Sequence, residues 1–191
     1  MTKIFKTAAA AVCMMASSVA ADGWTLDGDA SRLAFGSIKN AYVGEAHSFD
    51  ALSGSVAEDG AVAIEIGLGA VNTNIDIRNE RMVEHVFNSV PAATISAQLD
   101  LAALDSMAPG DTKTMELDAV LSLLGEDVSL FTEVFVARLS DDSVMVTTND
   151  MLFLATDELG VDGGIDKLQE LAGLDSIARA TPVTARFVFA R

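Results

Sequence analysis

His47 and His85 are the only imidazoles in the chain, and Cys13 is its only thiol. Serine and aspartate are plentiful enough for a Ser-His-Asp triad on paper. No serine, however, sits in the Gly-x-Ser-x-Gly elbow that would expose its hydroxyl at a strand-to-helix turn. His85 follows Glu84 in a helical stretch and reads as a solvated or capping residue. His47 precedes Phe49 in a strand pattern and reads as a rim residue rather than a general base. Zinc chemistry lacks its ligands: there is no His-Glu-x-x-His and no histidine pair at ligand spacing. The carboxylates of "DLAALDSMAPGD" and "DELGVDGGID" do not follow the order of a calcium loop and read as polar turns. "LGVDGGID" also lacks the lysine and the preceding strand of a phosphate-binding loop. No catalytic residue, metal ligand or cofactor is assigned.

The apolar residues are the larger resource, and strands must position them. In "SRLAFGSIK" Leu33 and Phe35 share a face. "AVAIEIGLG" sets Val62, Ile64, Ile66 and Leu68 against Ala63, Glu65 and Gly67. "TISAQLDL" puts Ile95, Ala97 and Leu99 on one side, and "MELDAVLSLLG" does the same with Met115, Leu117, Ala119, Leu121 and Leu123. "VSLFTEVFVARL" is apolar on both faces, and "SVMVTTNDMLFLAT" follows it. The chain closes with Val183, Ala185, Phe187 and Phe189 inward. A period of two marks strands with one buried and one wetter face. Glu58-Asp59-Gly60, Gly125-Glu126-Asp127 and Asp141-Asp142 are the turns between them. About eight antiparallel strands joined by short turns form a sandwich or a closed barrel, and an eight-stranded barrel holds packed side chains or one small ligand.

Two helices interrupt this pattern. In "NTNIDIRNERMVEHVFNSVP", Met82, Val83, Val86 and Phe87 share a face, Asp76 or Asn79 caps the start and Pro91 marks the end. In "GIDKLQELAGL", Ile165, Leu168, Leu171 and Ala172 form the stripe and Gly173 supplies the stop.

Residues 1–21 read as a secretory signal. Lys3 and Lys6 precede an apolar run from Thr7 to about Val19, and Val19-Ala20-Ala21 offers small residues for cleavage. The run is shorter than the roughly 20 residues a membrane span needs, and Val12 before Cys13 does not fit a lipoprotein site. The remaining chain, residues 22–191, is one domain by length. It has no cysteine, which excludes disulfides, a thiolate nucleophile and Cys-ligated zinc. The signal carries Lys3 and Lys6 but no acidic residue, so its removal shifts the net charge from −16 to −18. Such a surface repels nucleic acid and anionic headgroups. The expected location is the periplasm, with no stable membrane insertion after cleavage.

The order of segments resembles the YceI-like family of periplasmic lipid-binding proteins. "GWTLDGDASRLAFGSIKN" is similar to that family's opening Trp-x-x-Asp and alternating strand. "HSFDALSGSVAEDG" is similar to its Phe-x-x-Leu-x-Gly-x-Val strand and turn. The most specific match is "VNTNIDIRNERMVEHVFNSVPAATISAQ", where Thr73, Arg78, Phe87 and Pro91 fill equivalent places. The chain departs at Ala30-Ser31, Lys39-Asn40, Arg78-Asn79-Glu80-Arg81 and Val86-Phe87. The resemblance implies an all-β, extended lipocalin-like antiparallel barrel of about eight strands with two short covering helices. It also implies a binding protein, not an enzyme, which encloses a polyisoprenoid, an isoprenoid quinone or a similar long-chain lipid for transport or storage.

Alternation and this resemblance together nominate Leu33, Phe35, Ile64, Ile66, Phe87, Ile95, Leu121, Phe153, Phe187 and Phe189 as the pocket lining. Arg78 is nominated for the ligand headgroup, against the competing expectation that it pairs with Asp76 or another carboxylate. The first helix is expected to be a lid, with Glu80, Arg81 and Glu84 in water. Two other functions stay open: an envelope stress or protein-interaction protein with a filled barrel, and a cofactor-free hydrolase or isomerase. A chain-sized cavity separates the first from lipid binding, and a His-carboxylate pair inside that cavity would favour the second. A homodimer is left open.

Overall fold

A computed structural model describes residues 23–191. The expected signal, residues 1–21, lies outside the described residues. The strands are β1 (Trp24–Leu26), β2 (Arg32–Lys39), β3 (Val43–Phe49), β4 (Leu52–Val56), β5 (Ala61–Gly67) and β6 (Val71–Asn72), then β7 (Ala92–Gln98), β8 (Thr112–Leu123), β9 (Glu126–Ser140), β10 (Ser143–Thr148), β11 (Leu152–Ala155) and β12 (Ala180–Ala190). They form eight antiparallel staves, because four staves are broken. β1 and β2 run along one edge of β12, while β10 and β11 run along its other edge. β4 pairs with β1 and β5, and β3 pairs with β2 and β6. The ring continues from β5 through β7, β8, β9 and β10, and the pairing of β12 with β1 closes it. A closed ring leaves few bare edges, so a long sheet can stand alone in water.

Turn chemistry sets the register. β8 and β9 join through Leu124 and Gly125, both at positive φ (55° and 93°), as a twist-matched two-residue hairpin requires. That turn sits one to two residues before the expected Gly125-Glu126-Asp127. Gly60, at φ 86°, turns the β4–β5 hairpin, where Ala61 N–H donates to Asp59 Oδ1 at 3.0 Å.

Helices cover the two ends of the ring. The first is α1 (Asp76–Arg81), which runs into a π-helical turn, Met82–Val86. There Phe87 N–H donates to Met82 O at 3.0 Å, five residues back. Neither Asp76 nor Asn79 caps α1 as expected. Asn79 Oδ1 instead accepts from the Thr73 N–H and hydroxyl, at 2.8 and 2.6 Å, and ties the helix to the end of β6. α3 (Asp162–Ala172) ends at Gly173, left-handed at φ 61°, as expected. Its Ile165 and Leu168 pack on the core, whereas Leu171 and Ala172 are exposed. A one-turn helix, α2 (Ala102–Asp105), covers the other end with Leu101, Leu104 and Met107. It occupies the stretch expected to be a polar turn. Trp24 at that end lies under two guanidinium groups, Arg191 at 4.1 Å and Arg138 at 4.9 Å from its ring centroid. No helix among the described residues is long and apolar enough to cross a membrane.

Candidate functional site

The interior of the barrel is not filled. A cavity of about 280 Å³ extends between the two capped ends. An apolar cavity of about 150 Å³ already holds a benzene, so this one has room for a larger hydrocarbon group. Nine of the ten nominated residues line it: Leu33, Phe35, Ile64, Ile66, Phe87, Ile95, Leu121, Phe187 and Phe189. They come from β2, β5, β7, β8, β12 and the lid, and strand pairing brings them together. Ile64 sits opposite Ile95, which sits opposite Leu121.

Phe153 is the exception and a correction. It points out of the barrel and is 68% exposed, while Leu152 and Leu154 on either side line the cavity. β11 is apolar on both faces, so alternation alone could not say which face turns inward. The inward parity of β10, Val144 and Val146, carries through to Leu152 and Leu154.

The first helix packs over the ring largely as its apolar face demands. Met82, Val86 and Phe87 are buried against the cavity and Val83 is half-buried, while Glu80 and Glu84 are exposed; Arg81, expected in water, is half-buried. α3 lies directly on the π-helical turn. A Cβ on Gly164 would collide with the backbone of His85 and Val86, so only glycine permits this approach.

The polar residues near the cavity are already engaged. Thr181 Oγ1 donates to Gly36 O at 2.6 Å, Thr147 Oγ1 to Ala185 O at 2.8 Å, and Thr132 Oγ1 to Glu133 O at 3.2 Å. Glu116 borders the cavity but is exposed, between the inward Met115 and Leu117. Such a lining offers an apolar chain dispersion contacts and few unmet hydrogen bonds.

A polar cluster lies beyond Phe35, under α1. Arg78 does not line the cavity. Its Nη1 meets Glu45 Oε2 at 2.8 Å and its Nη2 donates to Thr73 O at 2.6 Å, while Lys39 approaches the same Glu45 oxygen at 3.1 Å. The headgroup nomination of Arg78 is thus corrected: a carboxylate other than Asp76 holds it. Burial works to raise the Glu45 pKa, but hydrogen bonds and charge from Lys39 and Arg78 override it and hold the carboxyl below its ordinary range.

His47 is not a rim residue. It is 4% exposed, its ring centroid lies 5.1 Å from that of Phe35, and Nε2 meets Ser37 Oγ at 2.8 Å. Burial, then the Arg78 charge, lower its pKa, with Glu45 opposing and Lys39 adding to the decrease. Ser37 and His47 look like two members of a hydrolytic triad. The third is missing, because Nδ1 has no partner among the described residues. A triad needs a carboxylate there to fix the tautomer and stabilise the imidazolium. The nearby Glu45 is spent on two cations. His85 is half-buried, with Nε2 at 3.8 Å from Glu84. No three His, Cys, Asp or Glu side chains among the described residues converge to hold a metal ion.

No family model and no curated protein matches the chain. Among solved structures, a polyisoprenoid binding domain from Saccharophagus degradans, implicated in plant cell wall breakdown, is similar at 34% identity and a TM-score of 0.85. The match covers 87% of this chain and 97% of that one. The chain belongs to the YceI-like family. BcnA of Burkholderia cenocepacia shares the fold at 16% identity and a TM-score of 0.65, over 85% of this chain and 98% of its own.

Within this YceI-like barrel, sequence reasoning missed the lining residues that lie outside clean alternation. Leu101 and Leu104 sit in the unexpected α2 segment, and Leu159, Val161 and Ile165 come from the turn and helix after β11. Phe49 also lines the cavity and stacks on Phe35 with centroids 5.2 Å apart. Its signal was present: it is register-paired with Leu33, which was nominated.

Proposed function

We propose that the protein binds one long apolar amphiphile, a polyisoprenoid or isoprenoid quinone, inside the barrel and carries or stores it in the periplasm after export through residues 1–21. The observation that carries this reading is the cavity itself, apolar along its length and capped at both ends. Burying one methylene contributes about 0.8 kcal/mol, so a five-carbon prenyl unit contributes roughly 4 kcal/mol before the cost of ordering the chain. Affinity therefore grows with chain length and needs no catalytic group. The Ser37–His47 pair lacks an orienting carboxylate and lies off the cavity lining, which favours binding over hydrolysis.

Titration with a fluorescent prenyl alcohol tests the reading. Saturable uptake of one probe per chain, displaced by longer unlabelled prenols, is expected. Absence of saturable uptake would contradict it. Fractionation of a Gram-negative host expressing the full chain tests the location: the processed protein is expected in the periplasmic fraction, and retention in the cytoplasm would refute export.

A further inference from the structure

The wall of the barrel has an unlaced seam. β9 pairs with β10 only from Val134 to Ser140, and β11 pairs with β12 alone. Val128–Thr132 and Leu152–Ala155 therefore face each other with no ladder between them among the described residues. The break is local. Thr148 is the last residue of the stave paired with β9, opposite Val134, and it has already left the β12 ladder: its Oγ1 accepts from Ala185 N–H at 3.3 Å, while Thr147 Oγ1 donates to Ala185 O. Beyond Asn149 and Asp150 the stave resumes as β11, paired with β12 and not with β9 among the described residues. One end of the seam is pinned by Asn149 N–H on Glu133 O at 3.0 Å. At the other end Gly160 abuts the Glu126 side chain.

Both edges of the seam lead straight to the cavity, through Leu130 and Thr132 on one side and Leu152 and Leu154 on the other. Its outer lips are apolar and wet: Phe131, Met151 and Phe153 are 70%, 55% and 68% exposed. The wall lapses again along Thr112–Asp118 of β8, which β7 does not reach. At that end of the barrel Leu101, Leu104 and Met107 pack into the core. Among the described residues the β9–β11 lips have no such cover. Large apolar groups grouped on a surface signal a contact made in function, and here they frame a gap that side chains alone close.

We propose that this seam is the side portal through which the ligand passes, and that it selects isoprenoids with an uncharged head, such as prenols or quinones, over prenyl phosphates. The proposal rests on the lipid-binding reading above. Widening the seam breaks no backbone ladder, whereas parting any hydrogen-bonded pair of staves would. The selection follows from charge. Residues 126–133 and 149–158 hold Glu126, Asp127, Glu133, Asp150, Asp157 and Glu158, and neither segment contains a lysine or arginine. A phosphate approaching the lips meets six carboxylates, while an uncharged head meets no repulsion.

The test uses the full chain carrying Cys13→Ser with Phe131→Cys and Phe153→Cys, joined by a flexible bis-maleimide, and a fluorescent prenyl alcohol as probe. Bridging is expected to slow uptake and release together by about tenfold or more, with the equilibrium affinity unchanged, because a portal sets the barrier and not the bound state. The same bridge between Glu65→Cys and Thr94→Cys, exposed register partners on β5 and β7, is expected to change neither rate. Unchanged rates across the bridged seam would overturn the portal. The matching prenyl phosphate is expected to bind unbridged protein more slowly than the alcohol, with the gap narrowing as salt screens the carboxylates. Equal uptake at low salt would overturn the selection. If the unmodified protein takes up neither probe, the binding reading fails and the portal falls with it. Normal uptake at rates the bridge does not alter defeats the portal alone.

Discussion

At the residue scale, what matters is which groups the barrel has neutralised or filled. His47 is buried as a neutral imidazole with a pKa below its ordinary 6.5. The unfolded chain takes up that proton first, so His47 contributes stability that is complete above pH 6.5 and declines as pH falls towards the lowered folded value. Glu45, with its pKa below the ordinary 4.5, adds a second loss as pH falls below 4.5. Denaturant melts of wild type and His47→Phe across this range are expected to show that the substitution removes the higher-pH part of the slope and leaves the part below pH 4.5. A curve that keeps its shape would contradict the buried, neutral assignment. Phe187 tests the cavity from the other side. In a filled core, extra volume costs about 1–3 kcal/mol. Because Phe187 borders open space, Phe187→Trp is expected to lower prenyl-alcohol uptake at least severalfold with little change in melting temperature. A large drop in melting temperature with unchanged uptake would make Phe187 ordinary core.

At the element scale, the lid is two segments locked together. Gly164 of α3 meets the backbone of the π-helical turn, whereas Gly163 beside it has open space. Gly164→Ala is expected to push the lid outward, lowering the melting temperature and speeding probe release. Gly163→Ala, which gains helix propensity of roughly 0.5–1 kcal/mol, is expected to do neither. Equal release rates for the two variants would mean that the α3 contact does not hold the lid. Elements also show where the fold was legible. β5, β8 and β12 alternate without interruption, and their inward faces could be read residue by residue. The seam could not. Loss of β9 pairing after Thr148 leaves no periodic trace, and Phe153 was assigned to the wrong face because β11 is apolar on both. The π-helical turn was equally hidden, because Met82, Val86 and Phe87 share a face at α-helical spacing too. The α2 segment is only four residues long, too short for any period to emerge.

At the scale of the whole molecule, eight staves enclose a cavity that their own side chains leave open. About eight strands and two covering helices were readable from turn spacing and amphipathic stripes. The open interior was not, because alternation identifies inward residues without saying how far apart opposite walls stand. The polar cluster around Arg78 was half-legible. A carboxylate partner was expected, but Glu45 lies 33 residues away, a separation that only the fold closes. The central claim is that the cavity is occupied by an isoprenoid in the cell. Native mass spectrometry of protein purified without detergent from its own envelope tests this most directly. A species heavier than the processed polypeptide by the mass of one prenyl-chain lipid is expected, lost on organic extraction and identifiable in the extract. A spectrum of the bare polypeptide alone, from protein that also fails to take up an added prenyl lipid, would contradict it.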